Sequence, residues 1–185
     1  MGKLYGLVEV DETFIGGKNK NRHKSQRIEF SNGKESFVKS IVFGILEKNR
    51  RLVKVFVVKD RGADTLQSLI RSHVKEESHI VSDDWVSYSG LEQWYYRTIV
   101  NHSAGQYTMG YFSTNALEGF WSTLKRGISG VYHSVSKRYL QRYCDEYAFR
   151  YNNSKSSTLD IMGKVILSSQ NKRLKHYECP IKLAA

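Results

Sequence analysis

Asp11, Asp83 and Glu118 are the residues whose types and settings could do chemistry in this 185-residue chain. Asp11 follows the apolar run LYGLVEV (4–10), and Asp83 ends the short segment HIVS (79–82), 72 positions further on. Glu118 stands 35 positions beyond Asp83, one turn into the stretch STNALEGFWSTLKRG (113–127). Carboxylates at the ends of neighbouring strands and on a covering helix can converge, and converging carboxylates repel unless a cation neutralises them. Oxygen donors of this kind favour Mg²⁺, with Mn²⁺ as a substitute, over zinc. Two such ions about 4 Å apart could activate a water or a 3′-hydroxyl and stabilise the leaving oxygen of a phosphodiester.

Each acid also has an ordinary explanation. Asp11 could end a strand, because Asp often begins turns. Asp83 or Asp84 could cap the segment that starts at Trp85. Asn115-x-x-Glu118 fits a capping box, with Asn115 as N-cap and Glu118 reaching back from the third helical position. Singly, each is better explained as structure; together, in this order and on a basic chain, they point to a site.

The elements that must position these residues follow from periodicity. LYGLVEV reads as a β-rich run ending at Asp11 and Glu12, and Gly16-Gly17 then breaks the strand and releases the chain into KNKNRHKSQR (18–27), a solvated basic loop suited to following phosphates. Residues 37–47 and 51–59 read as a hairpin around Lys48-Asn49-Arg50. Residues 65–74 place Leu66, Leu69, Ile70 and Val74 on one helical face, with Asp64 or Thr65 as N-cap. Strands follow at 79–82 and 96–102, then the helix carrying Glu118, on which Leu117, Trp121, Leu124 and Ile128 form the core face. A second long helix, capped by Ser136 and running to about Tyr151, lines up Tyr139, Leu140, Tyr143, Tyr147 and Tyr151, a stripe read as core or interface. Another short helix is expected around 158–168. The order predicts an α/β protein with a mixed sheet flanked by helices. A ribonuclease H-like fold is compatible with it, as are other α/β layouts.

Bulk properties narrow the partners. A hydrophobic content of 40% supports one well-buried domain. No apolar run approaches membrane-spanning length and no signal peptide opens the chain, so no membrane partner is expected. Cys144 and Cys179 have neither zinc-ligand spacing nor the look of a disulfide framework. Lys and Arg total 29 against 18 acidic residues, a formal net charge of +11 that makes nucleic acid the first partner to consider. His102 and His133 lie nearest the acidic elements but stay outside the catalytic set.

The blocks VEVDETFIGGK, SDDWVSYSGL, VNHSAGQY, STNALEGFWSTLKRGISGVYH and YCDEYAFRYNN resemble, in this order, the integrase-like catalytic domain of DDE-type bacterial insertion-sequence transposases. The similarity runs from about Leu4 to Asn153. It implies a ribonuclease H-like fold with a mixed five-stranded sheet flanked by helices, divided as a catalytic domain over 1–153 and a basic, partly helical tail over 154–185. It further implies divalent-metal catalysis and the cutting and joining of transposon-end DNA. Expected alongside are two Mg²⁺ ions, double-stranded end and target DNA as partners, a homo-oligomer on DNA and, from the cysteine usage and the lack of a signal peptide, a reduced cytoplasmic, nucleoid-associated setting. Asp11 matches the first catalytic Asp, Asp83 the second in preference to Asp84, and Glu118 the third acid. Relatives differ over whether Glu or Asn is the third ligand, which keeps Asn115 as the alternative. Lys125, about two helical turns beyond Glu118, matches a basic residue that contacts DNA near the cut. Arg126 beside it and Lys18, Lys20 and Arg22 of the basic loop complete the expected DNA contacts.

Similar transposases carry a zinc-binding segment and a helix-turn-helix ahead of this domain, whereas here the first motif stands close to Met1. The expectation is a truncated, split or excised form whose DNA binding is phosphate-dominated and weakly sequence-specific. Two other readings share these residues: a ribonuclease H-like nuclease that stops at hydrolysis, and a non-catalytic DNA-binding remnant.

Overall fold

A computed structural model describes residues 2–17, 24, 39–100 and 112–172. Its strands are β1 (Leu7–Ile15), β2 (Ser40–Glu47), β3 (Leu52–Val58), β4 (His79–Ser82) and β5 (Tyr96–Ile99). The helices are α1 (Ala63–His73), α2 (Asn115–Gly130), α3 (Leu140–Asn152) and α4 (Thr158–Ser169). One sheet holds all five strands in the order β3-β2-β1-β4-β5. β1–β2 and β2–β3 pair antiparallel, whereas β1–β4 and β4–β5 pair parallel. Order and directions are those of a ribonuclease H-like fold, as the motifs implied.

Both faces of the sheet are covered, which explains why its central strands are apolar along most of their length. Alternation along β1 and β2 divides the core. Val8, Val10, Phe43 and Ile45 pack with Leu66, Leu69 and Ile70 of α1. Ile15, Val42 and Leu46 pack on the opposite face with Leu117, Trp121, Leu124 and Ile128 of α2 and Leu140, Cys144 and Tyr147 of α3. The tyrosine stripe is thus partly core: Tyr147 is buried and Tyr151 packs against the same cluster. Tyr147 lies so close to α2 that a Cβ at Gly127 would fall 1.5 Å from its hydroxyl, so glycine there sets the approach of the two helices.

The outer edge of β3 is closed by side chains of α3. Asn152 Oδ1 accepts from the Val53 N–H at 2.7 Å while its Nδ2 donates to the Val53 carbonyl at 3.0 Å. Gln141 does the same for the Val57 N–H (2.7 Å) and the Val55 carbonyl (2.9 Å). These amides stand in for a sixth strand and block edge pairing.

Several expectations shift. β1 does not end at Asp11 and Glu12; its ladder with β2 continues to Ile15 opposite Ser40, so both acids sit within the strand. α1 is preceded by Gly62 as N-cap, not Asp64 or Thr65, and Asp60 Oδ1 binds the Gly62 N–H and the Thr65 hydroxyl, both at 2.8 Å. Ser136 precedes a short 3-10 turn, Lys137–Tyr139, and α3 begins only at Leu140. β5 stops at Ile99. No helix among the described residues is long and apolar enough to cross a membrane.

Candidate metal centre

β1 has nine residues and β4 only four, so the two pair only from Leu7–Glu9 to His79–Val81. Beyond Glu9, β1 keeps β2 on one flank, but the ladder with β4 has ended on the other. Asp83 follows the last residue of β4, at the carboxyl end of a parallel strand, where open α/β sheets usually place ligands. One carboxylate oxygen each from Asp11, Glu12 and Asp83 lie within 4.8 Å of one another. The structure thus brings together two of the three acids expected from the sequence, together with a third that sequence reasoning passed over.

Each of the three has its own support. Asp83 Oδ1 accepts the Trp85 N–H at 3.1 Å, so the turn role and the site role coincide in one residue. Arg97 steadies that turn, with Nη2 3.2 Å from the Asp83 carbonyl and Nε 3.0 Å from Ser82 Oγ. Asp84 is exposed and lies outside the group. Asp11 Oδ2 accepts the Trp121 indole N–H at 2.9 Å. The indole reaches it over Gly44, the β2 residue opposite Asp11, where a Cβ would fall 2.6 Å from the ring. Glu12 points to the other face of β1, where the buried Tyr88 hydroxyl donates to Oε2 at 2.7 Å. Its Oε1 is buried with no hydrogen-bond partner among the described residues.

Burial dominates the electrostatics. It pushes the Asp11 carboxyl up to about 6, against the opposing pull of the Glu12 backbone N–H and the Trp121 indole, with the charges of Asp83 and Glu118 adding to the rise. Burial likewise pushes Glu12 up to about 7; Tyr88 opposes this, Asp83 and Asp11 reinforce it, and Arg61 offsets part of it. An all-oxygen donor set with an orphaned buried oxygen and strained ionisation fits a hard divalent cation.

Glu118 approaches the same place from α2. It lines an open recess of about 350 Å³ with Asp11, Glu12, Thr13, Trp121, Ser122 and Lys125, but it is not one of the three acids within 4.8 Å. The expected capping box does not form, because α2 begins one residue earlier than it requires. Thr114 is the N-cap and makes no side-chain cap bond; its hydroxyl instead donates to Glu118 Oε1 at 3.0 Å. Asn115 is the first residue of α2 and is exposed, so it does not close the turn as expected.

The capping role passes to Glu9, two residues before Asp11 on the same face of β1. Glu9 is fully buried, and its Oε2 accepts the Leu117 N–H at 2.9 Å. Lys48 Nζ stands 3.4 Å from Oε1, an ion pair outside hydrogen-bond geometry. Burial raises the Glu9 carboxyl above its usual range, and Leu117, Lys48 and Ala116 pull it back. A buried carboxylate at a helix N-terminus meets both the unpaired N–H groups and the positive end of the dipole.

Lys125 is exposed and borders the acidic recess. It also borders a second cavity of about 280 Å³ formed with Gly16, Gly17, Ser129 and His133, among others. Arg126 is exposed beside it. Lys18, Lys20, Arg22 and His102 lie outside the described residues.

Sequence reasoning missed Glu12, Glu9 and Gly44. Thr13-Phe14-Ile15 continues the strand pattern past the acids and was the signal for Glu12; a lone glycine inside an apolar strand was the signal for Gly44.

The chain belongs to the ISXO2-like transposase domain family, whose model matches residues 3–152. An uncharacterized transposase-like protein of Haemophilus influenzae is 27% identical over 119 residues, covering 63% of this chain and 95% of that protein. Among solved structures, the catalytic core domain of BIV integrase matches at a TM-score of 0.49 and 14% identity, over 89% of this chain and 98% of that one. A chain of the simian T-cell lymphotropic virus intasome in complex with PP2A regulatory subunit B56 gamma matches at 0.48 and 11%, over 80% of this chain and 48% of that one.

Proposed function

We propose that this domain cleaves transposon-end DNA and joins it to target DNA in a divalent-metal-dependent reaction, with Asp11, Asp83 and Glu118 as the metal-holding acids. The observation that carries this reading is the meeting of Asp11 and Asp83 beyond the end of β4, with Glu118 facing Asp11 across the recess. Mg²⁺, or Mn²⁺ in its place, supplies Lewis-acid activation of the attacking oxygen and charge stabilisation of the leaving one.

The chain's own residues account for the remainder. Trp121 fixes Asp11, Thr114 fixes Glu118 and Arg97 fixes the turn of Asp83, so three elements present their carboxylates from rigid anchors. Lys125, exposed at the rim of the recess, would hold a phosphate of the bound strand, with Arg126 beside it; Lys18, Lys20 and Arg22, outside the described residues, are taken as further phosphate contacts from the basic run 18–27. In cleavage, water's oxygen bonds to phosphorus, the bond to the 3′-oxygen breaks, and that oxygen leaves as a hydroxyl. In joining, the freed 3′-hydroxyl attacks a target phosphodiester and a target 3′-oxygen leaves. The domain acts as a homo-oligomer on DNA, in the cytoplasm at the nucleoid.

Asp11→Asn is expected to abolish Mg²⁺-dependent cleavage while the far-ultraviolet circular dichroism stays that of the parent. A purified mutant that cuts as well as the parent removes the metal-site assignment. Strand transfer of a pre-cut transposon end into a plasmid separates a transposase from a hydrolysis-only nuclease. DNA binding without Mn²⁺ uptake would identify a non-catalytic remnant.

A further inference from the structure

We infer that Glu12, which lies outside the three acids assigned above, is a further ligand of the divalent cation, held in place by Tyr88. The inference rests on the metal-dependent reading of the site and assigns it a residue.

Successive residues of a strand point to opposite faces, so Asp11 and Glu12 would ordinarily be separated by the sheet. They come together here because β4 stops at Ser82 while β1 continues to Ile15, leaving a gap into which side chains from both faces can turn. An oxygen of Glu12 lies within 4.8 Å of oxygens of both Asp11 and Asp83.

The other bonds of Glu12 fit a ligand better than a structural acid. Oε2 is taken by Tyr88, a fully buried hydroxyl that burial and the neighbouring carboxylates keep protonated and therefore donating. Oε1 is buried and has no hydrogen-bond partner among the described residues. A carboxylate serving only to anchor Tyr88 gains nothing from a second buried oxygen left unbonded, and that oxygen carries a desolvation cost. The nearby cation offsets it only in part: the Arg61 guanidinium lies 4.3 Å from the ring centre of Trp85 and 5.1 Å from that of Phe14, engaged with those rings. A phenol holding one oxygen of a carboxylate whose other oxygen is free matches the way outer partners orient metal ligands. The chemical class of the ligand is a hard, oxygen-preferring divalent ion.

The test is Mn²⁺ titration calorimetry on the full chain, with parent, Glu12→Gln and Asp11→Asn, alongside thermal melting without metal. Glu12→Gln keeps the acceptor for Tyr88 and removes the charge. Its Mn²⁺ affinity is expected to fall by about tenfold or more, while its metal-free melting temperature equals or exceeds that of the parent because a repulsive charge has gone. If Glu12→Gln binds Mn²⁺ like the parent and Asp11→Asn does not, Glu12 is only the acceptor for Tyr88; the inference falls and the metal site stands. If the parent binds no Mn²⁺, both fall. Should Glu12→Gln not fold, Glu12→Asp, a methylene shorter, gives the same decision: weaker Mn²⁺ binding supports the ligand role and unchanged binding overturns it.

Discussion

The two halves of β1 treat buried carboxylates in opposite ways. In the lower half, flanked by β2 and β4, Glu9 is fully buried yet answered by the α2 backbone and by Lys48. In the upper half, paired among the described residues with β2 alone, Asp11 and Glu12 share a gap with Asp83, and burial drives their carboxyls up to about 6 and about 7. The same strand therefore holds one acid that builds the fold and two that the fold leaves short of positive charge. The difference teaches that burial does not by itself mark a functional acid; burial without a paired cation does.

This contrast can be broken from either end. Glu9→Ala should have the largest effect, removing the fully buried acceptor of the Leu117 N–H and the anionic side of the ion pair with Lys48, at about 3–5 kcal/mol. Urea unfolding checks it, and a loss below about 1 kcal/mol would mean that Glu9 is not the structural acid described.

The upper half should show itself through pH. Because the folded carboxyl of Glu12 is raised from 4.5 to about 7, the folded state holds its proton longer than the unfolded chain. The metal-free parent should therefore lose stability as pH rises from about 4.5 through 7, by on the order of 3 kcal/mol for this group. Glu12→Gln should lack that part of the slope. Acids with lowered values, such as Asp60 and Glu92, act in the opposite sense but are common to both chains. Parallel stability curves for the two proteins would remove the contrast.

Gly44→Ala sharpens the boundary between the halves. The added methyl would fall 2.6 Å from the Trp121 ring, so the indole that donates to Asp11 must shift. A loss of about 1–3 kcal/mol is expected, with a change in Trp fluorescence as the local readout. Unchanged stability and emission would mean that the ring does not depend on the bare glycine.

Much of this was legible in the chain. The run 79–82 is a strand to the residue, the β2–β3 hairpin turns where Lys48-Asn49-Arg50 predicted, and the core face of α2 is Leu117, Trp121, Leu124 and Ile128 as its spacing required. Periodicity is local, so a single sequence displays it. Caps were less legible. Asn115-x-x-Glu118 satisfied a local pattern, yet the Glu118 N–H it would have capped bonds the Thr114 carbonyl, and the neighbouring Leu117 N–H is taken by Glu9 from a strand more than a hundred residues earlier. A long-range acceptor of that kind leaves no trace in the helix that uses it.

The sequence alone determined the order of strands and helices, the presence of Asp11, Asp83 and Glu118 in three separate elements, and the basic charge that points to nucleic acid. Only the tertiary structure decided that β4 ends before β1 does. That mismatch in strand length opens the gap in which Glu12 meets Asp11 and Asp83, and the seating of α2 puts Glu118 on the wall of the adjoining recess. Pairing length depends on contacts between distant segments, which no local spacing of residues encodes.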